Sequence, residues 1–176
     1  MYAETPVSRS IVSRMIRAAR LDSAVYEEVE HDRDATRQAA IVVAGTSVAA
    51  GIGLGVAAGD IVTLLLFIVF GLIGWVSYAW ITYFIGTRIF AGPETEADWG
   101  QLARTLAFAN SPRALLIFGV VPVLATVLLT IVGIWVLVTT VVALRAALDF
   151  STGRAIGTAL VGWIVLAVLN VLAFGA

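Results

Sequence analysis

Two stretches of this chain run without an ionisable side chain for longer than a lipid bilayer is thick. Residues 114–144 and 155–176 contain no Asp, Glu, Lys, Arg or His. About twenty residues of helix, at 1.5 Å rise each, cross the roughly 30 Å hydrocarbon core. Only 13% of the residues are charged and the mean hydropathy is +0.99, against about a quarter charged in soluble domains. These features exclude an ordinary soluble fold. The first long apolar run begins near Ala39, too far along for a secretory signal. The absence of cysteine excludes disulfides and thiolate metal sites.

The expected fold is an all-α, polytopic integral membrane helical bundle. Residues 1–37 form an N-terminal cytoplasmic segment and residues 38–176 a membrane domain. In SRSIVSRMIRAARL, residues 8–21, Ile11, Val12, Met15, Ile16 and Ala19 share one arc at helical spacing. Arg9, Arg14, Arg17 and Arg20 fall on the opposite arc. Such a basic amphipathic helix lies either on an anionic membrane surface or on the protein's own cytoplasmic face. Residues 22–37 then change sign, with Asp22, Glu27, Glu28, Glu30, Asp32 and Asp34 outnumbering Arg33 and Arg37. They lack the spacing of a calcium loop and read as a solvated helix, with His31 a lone surface histidine. No metal or cofactor is expected.

Five spans are expected, at about 39–58, 61–83, 112–128, 131–148 and 155–174. Gly59 and Asp60 make a tight first turn. Trp75, Tyr78, Trp80 and Tyr83 mark an interfacial belt at the end of span two. The cytoplasmic loop 86–112 is broken by Gly92-Pro93 and carries a surface helix, with Thr95 and Asp98 as its capping box. Residues 114–144 would make a helix of about 46 Å, long for one span and short for two. The arginines decide. With five spans, a tight hairpin turning within residues 126–133 and the N-terminus inside, all 11 basic residues, every one an arginine, lie on one side. With four spans, Arg145 and Arg154 would lie outside. Asp149 is one helical turn from Arg145, within pairing reach.

Little in the spans suggests chemistry. Ionisable groups that mark ion pathways are missing, and no nucleophile–base pair can be assembled, so an enzyme is not expected. Gly51, Gly55 and Gly59, and Gly153 and Gly157, have the four-residue spacing that lets helices approach closely.

Three segments carry a family resemblance: YEEVEHDRDATRQAA entering span one, LARTLAFANSP entering span three, and VGIWVLVTTVVALRAALDFSTGRAIGTALVGWIV through the last two spans. Over about residues 20–174 the chain resembles the Yip family of Ypt-interacting membrane proteins, in its prokaryotic branch. The resemblance implies a non-catalytic membrane protein. Eukaryotic members act in vesicle traffic, interact with Rab-type GTPases and associate with one another. The Asp-Leu-Tyr-Gly-Pro motif of those members has no counterpart here, which puts a Rab partner in doubt.

The expected function is a membrane scaffold or adaptor in a prokaryotic cytoplasmic membrane, with the C-terminus outside. Its candidate partners are membrane lipid, a cytoplasmic protein and a second copy of the chain; nucleic acid is not among them. Arg9, Arg14, Arg17 and Arg20 are the candidate lipid contacts. Trp99, Arg104, Arg145, Asp149 and Arg154 are the candidate partner surface. Membrane shaping by the amphipathic helices would use the same residues. The alternative is a small-solute transporter or channel subunit, with a broken helix near Pro122 lining the pathway.

Overall fold

The computed structural model describes residues 10–54, 61–92, 95 and 97–174, and among these every regular element is helical. Two short helices open the chain, α1 (Ile11–Ala19) and α2 (Ser23–His31), followed by α3 (Ala35–Gly53) and α4 (Ile61–Phe84). α4 runs on into a π-helical turn, Ile85–Ile89, closed by the Phe90 N–H on the Ile85 carbonyl at 3.0 Å. After α5 (Trp99–Ala109) comes a 3₁₀ segment, Ser111–Val120, then α6 (Pro122–Leu148) and α7 (Thr152–Phe174).

Local chemistry sets the boundaries. Ser10 caps α1 by accepting from the Ser13 N–H, and Asp22 caps α2 by accepting from the Ala24 N–H. α1 ends with Leu21 left-handed, at φ 64°. The Asp22 and Leu21 N–H groups then reach back to the Arg17 and Ala18 carbonyls, closing the last turn. α6 ends the same way on Asp149 (φ 50°), with the Phe150 N–H on the Arg145 carbonyl. The Phe150 ring is buried beside Leu144 and Leu148. The capping box of α5 is formed by Asp98 with Gln101. Thr95, expected to cap it, instead accepts from the Gly92 N–H at 2.8 Å.

Three helical stretches are long and apolar enough to cross a membrane: Ile61–Ile89, Val123–Leu148 and Thr152–Leu172. Their outer faces carry Ile61, Leu65, Ile73, Val127, Ile131, Ile134, Trp163 and Val168, all exposed. Rows of large apolar side chains facing outward are stable only in an apolar solvent.

The expected hairpin turn within residues 126–133 is not found, because α6 runs unbroken through it. The residues expected to form spans three and four, 112–128 and 131–148, are instead divided at Val121 into the 3₁₀ segment and α6. Pro122 has no N–H to donate and disfavours helical backbone in the residue before it. Val121 is extended accordingly (φ −90°, ψ 109°), and Pro122 occupies the start of α6, where a missing donor costs nothing. Threonines within α6 do not break it; the Thr130 hydroxyl donates to the Thr126 carbonyl. The chain still folds back on itself. The Thr139 hydroxyl donates to the Ala109 carbonyl at 2.7 Å, and Leu116 packs with Val132, so the 3₁₀ segment runs antiparallel to α6.

The 3₁₀ segment also packs on α3, backbone against backbone. A Cβ on Gly53 would lie 1.6 Å from the Leu116 carbonyl oxygen, and one on Gly119 would lie 2.7 Å from the Gly53 oxygen. Among the glycines expected to mediate packing, Gly51 meets the Phe67 ring and Gly157 the Phe90 ring. A Cβ on Gly153 would meet nothing within 4 Å. Gly55 and Gly59 lie outside the described residues.

Gly53→Ala should destabilise the protein by about 2–4 kcal/mol, since the added methyl meets backbone that cannot rotate away. Gly45→Ala, in the same helix with open space at its Cβ, should be neutral or stabilising by up to about 1 kcal/mol. Thermal unfolding of both variants in detergent checks the contrast.

Candidate interaction surface

The three N-terminal elements are joined by two arginines of α1. Arg14 is buried at 1% exposure. Its Nε donates to Glu28 Oε1 at 2.9 Å, Nη1 to Gln38 Oε1 at 2.8 Å and Nη2 to Asp32 Oδ2 at 2.6 Å. Arg17 donates from Nε to Asp22 Oδ2 at 2.7 Å and from Nη1 to Glu28 Oε2 at 2.6 Å. Burial opposes the charge on Arg14, but the hydrogen bonds and charges of Asp32 and Glu28 outweigh it and raise its pKa. The hydrogen bond from Arg14 holds the Asp32 carboxyl below its ordinary value. Burial pushes Glu28 upward, and the bonds from Arg17 and Arg14 override it and lower it. The stability from these carboxylates is therefore present above the ordinary carboxylate pKa and is lost as pH falls through their depressed values.

This arrangement removes Arg14 and Arg17 from the expected lipid-contact set. α1 turns its Arg14–Ala18 face inward and leaves Val12, Ile16 and Arg20 exposed. Arg9 lies outside the described residues. The reason lies in α2 and its two caps, whose carboxylates already meet both guanidinium groups in charge-assisted hydrogen bonds.

Arg104, expected on a partner surface, is buried as well. Its Nε donates to the Val29 carbonyl at 2.9 Å, and its guanidinium also reaches the Glu30 carbonyl and the Thr36 hydroxyl. It satisfies the open carbonyls at the end of α2 and ties them to the start of α3, as a cation at a helix C-terminus should. Trp99 is a packing residue. Its ring stacks on Trp80 with centroids 5.5 Å apart, and its Nε1 is buried without a hydrogen-bond partner. Trp75 and Trp135 anchor neighbouring elements through Nε1, to the Ala103 carbonyl at 2.8 Å and the Ala19 carbonyl at 2.7 Å.

Arg145, Asp149 and Arg154 remain exposed around the α6–α7 turn. The expected Arg145–Asp149 pair does not form. Among the described residues the ion pairs are those of Arg14 and Arg17. The turn itself is held by the buried residues Leu148, Phe150 and Ala155. Nearby, the guanidinium of Arg154 passes over the bare Cα of Gly92, at the edge of the loop preceding α5. That loop and the end of α4 enclose an open cleft of about 600 Å³, lined by Tyr83, Thr87, Arg88, Thr95, Asp98 and Gln101. Reading the sequence missed this cleft because Thr95 was assigned to a cap and Arg88 fell in the loop 86–112 with no neighbour identified for it.

Glu30 is 7% exposed and its Oε2 has no hydrogen-bond partner. Burial, helped by the charge of Glu27, pushes its carboxyl up to about 7.

Arg14→Gln should accelerate hydrogen exchange of the α1 amides roughly thirtyfold or more, equivalent to about 2 kcal/mol, because it leaves two carboxylates without their buried cation. Arg20→Gln should leave the same amides within a few-fold of the unchanged protein.

Neither the curated proteins nor the solved structures yield a match to the chain. The Yip1 domain matches residues 22–173, from the cap of α2 to the end of α7. With that match and three helices suited to a bilayer, this integral membrane protein belongs to the Yip1 domain family.

Proposed function

We propose that the chain is a non-enzymatic scaffold or adaptor that presents the α6–α7 turn and the adjoining cleft to a protein partner at the cytoplasmic face. The observation that carries this reading is the unequal use of charge. Arg14, Arg17 and Arg104 bond within the fold, whereas Arg145, Asp149 and Arg154 stand exposed on a firmly held turn. Charges that take no part in the fold's own ion pairs stay available to a partner, and complementary charge favours specific recognition. Lipid contact falls to Arg20 with Val12 and Ile16, where a cation borders exposed apolar side chains.

The reading includes five crossings, with the N-terminus inside and the C-terminus outside. The one-sided distribution of arginine supports it. The transport reading has less support. Val121 and Val123 flank Pro122 at 48% and 82% exposure, so that turn is an outlying tip rather than the wall of a pathway through one copy.

A photo-crosslinking residue at position 154, in native membranes, should give a discrete adduct that disappears on Arg145→Glu. Absence of any adduct, or an adduct indifferent to that charge reversal, would sink the adaptor surface. An adduct of twice the chain mass would instead identify a second copy as the partner.

The cysteine-free chain also permits a direct topology test. Single cysteines at positions 20 and 145 should react with an impermeant maleimide from one side of the membrane, and cysteines at positions 60 and 121 from the other. Reaction of position 121 from the same side as position 145 would reduce the third and fourth segments to a re-entrant pair.

A further inference from the structure

The last turn of α2 gathers three potential ligands that the acidic composition of this segment conceals. Glu27, Glu30 and His31 stand at i, i+3 and i+4, on one face of the helix. A carboxylate oxygen from each glutamate and a ring nitrogen of His31 all lie within 4.8 Å of one another. Ligands at about 2.0–2.2 Å around one tetrahedral ion sit roughly 3.3–3.6 Å apart, so the three groups draw in by side-chain rotation to share an ion.

Two further observations separate this cluster from an ordinary acidic helix end. The first is Glu30, which is more than nine-tenths buried with an oxygen that meets no donor. The nearest guanidinium, Arg104, is turned to the Val29 and Glu30 backbone carbonyls and to Thr36, so it leaves that oxygen unsatisfied. The second is the His31 ring, whose Nδ1 lies 2.9 Å from the Glu27 carbonyl. A carbonyl can only accept, so Nδ1 is the donor, and in the neutral ring Nε2 is left with the lone pair. An imidazole oriented by donating its other nitrogen to a carbonyl is the usual arrangement of a metal-bound histidine.

We propose that Glu27, Glu30 and His31 bind one borderline divalent transition-metal cation of the zinc type. Two carboxylates and one imidazole suit such an ion better than the all-oxygen shells preferred by calcium or magnesium. The charges match: the ion brings two positive charges to two carboxylates and supplies the partner that the buried oxygen of Glu30 lacks. Three protein ligands leave at least one position for water or for a further group. This assignment replaces the sequence expectation of no metal, which weighed the segment only against calcium-loop spacing and could not see that Glu30 is buried.

The test uses the full chain, purified in detergent without a polyhistidine tag and stripped with a chelator. Zn²⁺ titrated by calorimetry should bind at one equivalent per chain, and Co²⁺ should develop visible ligand-field bands. His31→Ala and Glu30→Gln should each weaken Zn²⁺ binding at least about tenfold. His31 is exposed, so its variant should keep the α1–α3 hydrogen-exchange pattern of the unchanged protein. No saturable Zn²⁺ binding, or binding that neither variant weakens, overturns the proposal.

Discussion

The burial of the Arg14 guanidinium is the interaction on which the polar end of the bundle depends. A buried cation is tolerable only where its donors are met, and α1 meets them only by lying against α2 and α3 together. Glu28 and Asp32 come from α2 and its end, Gln38 from α3, so one side chain fixes the relative placement of three helices. Arg104 then does for the far end of α2 what Asp22 does for the near end, satisfying backbone groups that would otherwise need water. With both ends closed and its arginine partners in place, a nine-residue helix that would be marginal alone becomes part of a fixed cap on the membrane bundle.

Most of the architecture was legible because it rests on composition and period. Long uncharged runs required membrane helices, but the break at Val121 was expected only in the transport alternative, and the five-span reading carried its third span through Pro122. The segmentation of residues 112–148 was misplaced because threonine and glycine were weighed as turn formers. Inside an apolar helix a threonine bonds its own backbone, and Gly133 has no neighbour to make room for. The contact between Gly53 and Gly119 was invisible for another reason. It joins residues far apart in sequence, and the four-residue spacing rule looks only along one helix.

The charged residues were legible in sign but not in use. Helical projection placed the arginines of α1 opposite its apolar arc, which is correct for an isolated helix in water. Only three residues separate α1 from the acidic α2, and the pairing of opposite charges across a tight turn outweighs the preference of a guanidinium for solvent. Of the expected partner residues, those in the α6–α7 turn remained accessible because that turn closes on its apolar neighbours, and its charges take no part in the ion pairs of the described residues. Trp99 and Arg104 have the composition of an interface hot spot, but Arg104 is buried on backbone carbonyls and Trp99 is half-buried against the ring of Trp80.

The bond from Trp135 to the Ala19 carbonyl has a mechanical meaning. Trp135 lies at the midpoint of α6, and Ala19 closes the first helix of the polar cap. The bond anchors the polar cap to the middle of a membrane helix, so α1 cannot lift from the bundle without giving up an indole donor 116 residues away in sequence.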